Sequence, residues 1–118
     1  MKSVVVTGMG IVSCIGTGLK EVLDSLKVGK SGISANPTYK EMGFRSHVSG
    51  SVNINLSDLI DRKVLRFMSE ASGFAYIAAQ EALTNAEINL EEIDTARIGI
   101  VAGSGGASSD AQIVASDI

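Results

Sequence analysis

Cysteine, proline and aromatic residues are scarce in this sequence, whose 118 residues include one cysteine, one proline, three phenylalanines, two tyrosines and no tryptophan. A single cysteine excludes an internal disulfide framework and a cysteine-based zinc site, which fits a reducing compartment. The few rings leave little surface for stacking on bases, and the formal net charge of −3 argues against a general nucleic-acid binder. No apolar run approaches the length of a membrane-spanning helix. The composition therefore predicts no nucleic-acid partner and no membrane span.

Apolar residues make up 45% of the chain and charged residues 19%. This is apolar for a small protein, because a short chain buries a smaller fraction of its surface than a long one. Either the core is dense, or part of the apolar surface packs against something else. The last residues, ASSDAQIVASDI (107–118), carry no helix stop signal and no charged tail. They favour a segment of a larger domain.

Apolar periodicity predicts an order of strand, helix, helix and strand. Residues 3–6 and 97–102 (RIGIVA) are β-branched and apolar, as in buried strands. Residues 17–28 carry the stripe of an amphipathic helix, with Gly29 as the residue that follows its end. Residues 61–86 predict a second, largely buried helix. The intervening chain predicts a polar loop at 30–43, an edge strand at 47–52 and a helical turn at 90–93. This order favours an α/β layer architecture with a mainly buried sheet.

The opening stretch VVVTGMGIVSCIG (4–16) admits several interpretations. Gly8 and Gly10 could begin a dinucleotide-binding loop, in which Ser13 stands where a third glycine belongs. The β-branched residues that follow do not open a helix, and no second strand ends in an acidic residue about 20 positions on. Residues 11–14 also resemble a lipoprotein signal, but glycines interrupt its apolar region. The plain alternative makes Cys14 a small buried core residue.

Five motifs taken together lead to a further interpretation. They occur in this order: VVVTGMGIVSCIG (4–16), VLDSLKVGKSGI (22–33), GFRSHVSG (43–50), DRKVLRFMSEAS (61–72) and GIVAGSGG (99–106). With these motifs, nearly the whole chain closely resembles the N-terminal part of bacterial β-ketoacyl-acyl-carrier-protein synthases, and specifically their type I group. The resemblance implies that residues 1–118 are the first segment of a thiolase-like fold, a layered α/β/α architecture with an incomplete sheet here and no second domain. The opening glycines then mark a bend in the first core strand and bind no phosphate.

The resemblance implies fatty acid biosynthesis by decarboxylative Claisen condensation. Family enzymes use a cysteine nucleophile and two histidines that lie beyond this sequence. Cys14 and His47 match neither, so we assign no catalytic residue and no metal ligand here, and we expect the isolated chain to be inactive. No cofactor is implied, because the substrates are carried on the phosphopantetheine of acyl carrier protein. The family also implies a cytoplasmic homodimer.

The resemblance to the family implies two candidate binding sites in this sequence. Arg62 and Arg66 are four positions apart on the predicted helix, and Lys63 and Arg66 are three apart, so the three share a face. With Arg45 they imply a docking site for acyl carrier protein, an acidic partner that basic residues steer electrostatically. Cations at a helix start oppose its dipole, which favours a functional reason for them. Gly105, Gly106 and Ala107 imply a loop beside the acyl-chain pocket, where Ala107 replaces an expected glycine and narrows the pocket.

Two other functions share part of this pattern. A non-catalytic chain-length factor would have the same N-terminal segment, and an NAD-dependent dehydrogenase would use Gly8 and Gly10. Because the missing part of the fold would cover its apolar segments, we also expect the isolated segment to self-associate or to exchange elements between copies.

Overall fold

The computed structural model describes residues 3–106 and 108–116. Within them the chain is mixed α/β, with five α-helices and four short strands. The helices are α1 (Leu19–Lys27), α2 (Pro37–Glu41), α3 (Arg62–Leu65), α4 (Glu70–Asn85) and α5 (Ser109–Ser116). The strands are β1 (Val12–Ser13), β2 (Gly16–Thr17), β3 (Ile33–Ala35) and β4 (Val48–Gly50), and single 3₁₀ turns lie at Leu56–Asp58 and Thr95–Arg97. No helix among the described residues is both long and apolar enough to cross a bilayer.

The strands form two separate antiparallel pairs. β1 pairs with β2, with Val12 opposite Thr17, and β3 pairs with β4, with Ser34 opposite Ser49. β4 confirms the strand predicted within 47–52. The predicted polar loop at 30–43 is wrong, because it contains β3 and α2. Asn36 explains the helix: its side chain accepts the N–H of Tyr39, and Pro37 at the first helical position fixes the backbone angle that the helix needs.

The two predicted buried strands do not form. Residues 3–6 and 98–102 have no strand assignment, and residues 95–97 make a 3₁₀ turn instead. Val4 is 95% exposed and Val101 is 103% exposed. A strand needs a neighbour for its N–H and C=O groups, and within the described residues neither segment has one. The composition identified apolar segments correctly, but residues 3–106 and 108–116 do not form the sheet that would bury them.

The long helix predicted at 61–86 is two helices. Asp61 caps α3 by accepting the N–H of Lys63, and Ser69 caps α4 by accepting the N–H of Ser72 at 3.3 Å. A capping serine has non-helical backbone angles, so it separates α4 from α3. The predicted burial is also wrong, since within α4 only Gly73 is buried.

The prediction of α1 is confirmed within two residues at its N-terminal end and one at its C-terminal end. Gly29 follows it with a φ of 65°, a left-handed angle that glycine adopts without strain. The single helical turn predicted at 90–93 is replaced by a turn at 90–91 and the 3₁₀ turn at Thr95–Arg97.

The interior of the described chain is small. Its buried apolar side chains are Val22 and Ile60, at 7% and 4% exposure. The radius of gyration is 17.7 Å, whereas a closed domain of this length has about 13.5 Å. The accessible surface is 9923 Å², against about 6,100 Å² for a folded monomer of this mass. Of the two explanations for the apolar composition, the structure supports surface that packs against something else.

Gly8 and Gly10 bring the opening segment against α4. A Cβ on Gly8 would strike the carbonyl oxygen of Ala82, and a Cβ on Gly10 would strike that of Ala78. The glycines therefore permit a close backbone approach to a helix. The packing against α4 therefore accounts for both glycines without a bound phosphate.

Candidate functional site

Arg62, Lys63 and Arg66 surround one cleft, and we call these three residues the basic cluster. Together with Asp61 they line a cavity of about 520 Å³ on the exposed side of α3. Asp61 accepts the N–H of Lys63 at 2.7 Å, and the N–H of Arg66 donates to the carbonyl of Arg62 at 3.3 Å. These two bonds close the single turn that places the three cations together. The structure thus brings together the set that sequence spacing predicted.

The basic cluster carries concentrated positive charge on a net-acidic chain. All three side chains are exposed. Among the described residues the one ion pair joins Lys27 to Asp24, so no carboxylate forms an ion pair with the cluster. The cleft also holds the carboxylate of Asp61, which caps the helix, so three cations face one anion there and positive charge is in excess. A negatively charged partner therefore meets unpaired cations.

The dipole argument made from sequence is wrong for this helix. α3 has four residues, so its first turn is also its last, and Arg66 is its C-terminal cap. A single turn has little macrodipole, and a cation at its C-terminal end is favoured rather than opposed. The placement of these cations therefore gives no energetic reason to prefer a functional role.

Phe67 adds an aromatic surface that the sequence interpretation missed. The guanidinium of Arg66 lies 4.4 Å from the centroid of the Phe67 ring. That ring is 77% exposed, in the turn between α3 and α4. An aromatic residue directly after the second arginine was the available signal.

Arg45 lies apart from the cleft. It is exposed in the segment between α2 and β4, and it does not line the basic cavity within the described part of the chain. Its neighbour Phe44 packs edge-on against Tyr39, with ring centroids 5.2 Å apart. The structure therefore groups three of the four predicted docking residues and leaves Arg45 on a neighbouring surface.

The glycine loop lies over the start of α4. A cavity of about 510 Å³ is lined from α4 by Ala71, Ser72 and Ala75, with Ser69 before the helix, and from the loop by Ala102, Gly103, Ser104, Gly106 and Ser108. Gly106 faces this cavity, and its carbonyl accepts the hydroxyl of Ser104 at 2.7 Å. Gly105 does not line it, and Ala107 lies outside the described residues. A Cβ at either described glycine would meet no atom within 4 Å, so no described contact requires glycine there.

Cys14 and His47 occupy structural positions. Cys14 is half-buried rather than fully buried, and its sulfur lies 2.7 Å and 3.0 Å from where a Cβ on Gly32 and Gly50 would stand. The thiol thus fills space against two glycines. His47 is exposed, and its carbonyl accepts the N–H of Asn36 at 2.7 Å. No three His, Cys, Asp or Glu side chains of the described chain lie together as a metal site requires.

Comparison with known proteins gives consistent matches. The family model described as "Beta-ketoacyl synthase, N-terminal domain" matches residues 1–117. The chain is 46% identical to 3-oxoacyl-[acyl-carrier-protein] synthase 1 of Haemophilus influenzae, over 99% of this chain and 29% of that protein. Identity and coverage are the same for the Escherichia coli K12 enzyme of that name. A Staphylococcus aureus 3-oxoacyl-[acyl-carrier-protein] synthase 2 is 35% identical over 88% of this chain and 25% of its own length. The chain thus spans less than a third of these relatives.

Proposed function

Because the chain belongs to the beta-ketoacyl synthase family, through the N-terminal domain that it matches over residues 1–117, we propose that the protein containing it is a 3-oxoacyl-acyl-carrier-protein synthase of fatty acid biosynthesis. The observation that carries this proposal is 46% identity to two synthase 1 enzymes over 99% of the chain. Identity to a synthase 2 is lower, at 35%, which supports type I character.

The proposed reaction is a decarboxylative Claisen condensation. An acyl group passes from its carrier to a cysteine thiolate and forms a thioester. Malonyl-carrier protein then loses CO2, and the resulting carbanion attacks the thioester carbonyl and expels the thiolate. Hydrogen-bond donors stabilise the enolate and the tetrahedral oxyanion. We assign none of these roles to a residue of this chain, and we propose that the isolated chain does not catalyse the condensation.

We propose that the basic cluster binds acyl carrier protein, an acidic partner. Three exposed cations without ion-pair partners among the described residues surround one cleft, and they would attract the carrier and orient it as it approaches. Arg45 would extend the same field from a neighbouring surface. The acyl chain would arrive on the phosphopantetheine arm of the carrier, so the proposal includes no bound cofactor.

The remaining segments would contribute to the framework of the synthase. In a thiolase-like fold, the exposed residues 3–6 and 98–102 would pair with strands supplied by the rest of the protein. The loop of Gly105, Gly106 and Ala107 would border the acyl pocket next to the subunit interface of a cytoplasmic homodimer. The 510 Å³ cavity between this loop and α4 supports that position, since acyl chains need an apolar cleft.

Two measurements on the full-length protein test the proposal. The first follows condensation of an acyl-carrier protein with malonyl-carrier protein, for which turnover is expected. The second measures the Kd of acyl carrier protein for two variants of the synthase. One variant has Arg62 and Arg66 both replaced by Ala, and the control variant is Lys20→Ala. Lys20 is an exposed cation of α1 outside the basic cleft. Equal loss of affinity in both variants would refute the docking site, and carrier binding without turnover would indicate a non-catalytic chain-length factor.

A further inference from the structure

Phe67 is an exposed aromatic residue beside the basic cluster. Its ring is 77% exposed, and its N–H donates to the carbonyl of Val64 at 3.1 Å, which fixes the backbone of the turn after α3. Val64 is itself 41% exposed. The cations and these apolar side chains therefore come from one short segment, and the surface has a charged part and an apolar part.

The ring also constrains the arginine next to it. With its guanidinium 4.4 Å from the ring centroid, Arg66 lies within the range of a cation–π interaction. A guanidinium over an aromatic face keeps its in-plane N–H groups free to bind a carboxylate with two parallel hydrogen bonds. It has also lost part of the rotamer freedom that binding would otherwise remove. The ring thus prepares Arg66 for a planar anionic group.

We propose that Phe67 is a positioning and contact residue of the docking surface. Its ring orients Arg66 toward a carboxylate of the acidic partner, and its free face contacts an apolar side chain beside that carboxylate. This inference rests on the proposed function, because the partner is acyl carrier protein. The excess positive charge of the cleft argues for an acidic occupant, and the contact with Arg66 places the ring beside a cation that such an occupant would meet.

The two roles of the ring have different consequences. Removing the ring loses both the orientation of Arg66 and the apolar contact. Tyrosine keeps an aromatic face in the same place, whereas leucine keeps apolar surface but has no π-face for the guanidinium. If the ring acts through Arg66, its removal matters less once Arg66 is gone, because the two residues then form a coupled pair.

The test is a double-mutant cycle on the full-length protein. Acyl carrier protein bearing its phosphopantetheine arm is the probe, and Kd is measured for Phe67→Ala, Phe67→Leu, Phe67→Tyr, Arg66→Ala and the Arg66→Ala/Phe67→Ala double variant. Leu90→Ala is the control, since Leu90 is 51% exposed and lies outside the basic cleft. We expect Phe67→Ala to raise Kd about three- to tenfold. Phe67→Tyr should stay within about twofold, with Phe67→Leu between them.

Each outcome decides one part of the inference. If Phe67→Ala leaves Kd unchanged while Arg66→Ala raises it, the role of Phe67 is refuted and the proposed docking function stands. If no variant changes Kd, the inference about Phe67 and Arg66 is refuted, and the docking function itself fails if the Arg62→Ala/Arg66→Ala variant also binds with unchanged Kd. If Phe67→Ala and Arg66→Ala each weaken binding, and their losses of binding free energy add in the double variant, Phe67 does not position Arg66. The leucine and tyrosine variants preserve the bulk of the side chain, so the comparison holds even if the alanine variant is poorly folded.

Discussion

Glu81 holds the start of α1 from a helix far along the chain. Its Oε1 atom accepts the N–H of Leu19 at 2.7 Å, and its Oε2 atom accepts the N–H of Ile11 at 3.0 Å. Leu19 is the first residue of α1, and the capping position before it is Gly18, which has no side chain to cap the helix. Glu81 supplies that cap from α4 and places a negative charge at the positive end of the helix dipole.

Replacement of Glu81 by Gln should lower the unfolding free energy of the full-length protein. One amide oxygen can replace one carboxylate oxygen, but the NH₂ group would face the second backbone N–H and leave that donor without an acceptor. A buried or half-buried donor that loses a charged acceptor costs about 1–3 kcal/mol. Urea unfolding monitored by circular dichroism measures the difference in unfolding free energy between the variant and the original protein.

Glu41→Gln is the matched control for Glu81→Gln, because Glu41 is exposed at the end of α2. It should change stability by at most about 0.5 kcal/mol, as surface substitutions do. Equal effects of the two substitutions would contradict the capping role.

Gly10→Ala should be strongly destabilising. The added methyl would strike the carbonyl oxygen of Ala78, and backbone cannot move aside as a flexible side chain can. Gly43→Ala is the comparison: its φ of 71° strains an alanine, but no atom lies within 4 Å of the new Cβ. We expect about 1–2 kcal/mol for Gly43→Ala and a larger loss for Gly10→Ala, measured by thermal unfolding. A smaller loss at Gly10 would show that the opening segment does not pack on α4 as described.

Ser69→Ala should shorten or loosen the start of α4. The serine oxygen accepts the N–H of Ser72 and contacts its hydroxyl at 2.9 Å. Loss of an N-cap side chain costs about 1 kcal/mol. Ser69→Asp is the matched variant, because aspartate also caps well and adds favourable charge at the helix start. Urea unfolding measures the stability of both variants. A loss for Ser69→Ala with nearly unchanged stability for Ser69→Asp would confirm the cap, and equal losses would contradict it.

Local patterns predicted α1, whose causes are local. Its apolar stripe lies within the helix, and the left-handed Gly29 follows the helix end. Two other elements with local causes were not predicted. Asn36 and Pro37 begin α2 inside the stretch predicted as a loop, and a serine such as Ser69 inside an apolar helical pattern gives no sign that its side chain will cap a new helix. A single helical turn is enough to place Arg62 and Arg66 together. The prediction that they lie together is therefore correct even though the long helix is divided.

Other features that the sequence did not predict depend on distant contacts. In the sequence Glu81 has the pattern of an ordinary polar helix residue. Its capping role depends on Leu19 and Ile11, which are distant in the chain. The segments 3–6 and 98–102 have strand composition, but pairing depends on neighbours that the described chain does not provide. Phe67 reads as a core residue by type, and its exposure depends on where α3 ends.

High ionic strength should weaken association with acyl carrier protein through the basic cluster. Raising salt from about 0.1 M to about 1 M shortens the screening length from about 10 Å to about 3 Å. The association rate constant should then fall at least about tenfold, with a smaller change in dissociation. Stopped-flow fluorescence on the full-length protein measures both. The Arg62→Ala/Arg66→Ala variant should depend less on salt, and an unchanged slope in that variant would place the steering charge elsewhere.

The 118-residue chain, prepared alone, should self-associate. Its accessible surface of 9923 Å² exceeds the about 6,100 Å² expected for a folded monomer of this mass. That difference is larger than the roughly 1,600 Å² that a typical stable interface buries. Part of it is an apolar groove between the opening segment and α1, where Leu23 is 52% exposed and Leu26 is 64% exposed. Exposed apolar side chains grouped in a groove drive association.

Leu26→Glu should reduce that association, because it places a charge in the apolar groove, where burial would remove the charge from water. Lys20→Glu is the matched control, since it adds the same side chain to the same helix outside the groove. Light scattering over a range of concentrations gives the mass of each variant. A monodisperse monomer of the unmodified chain would contradict the prediction. An equal mass decrease in both variants would show that net charge, and not the groove, governs the association.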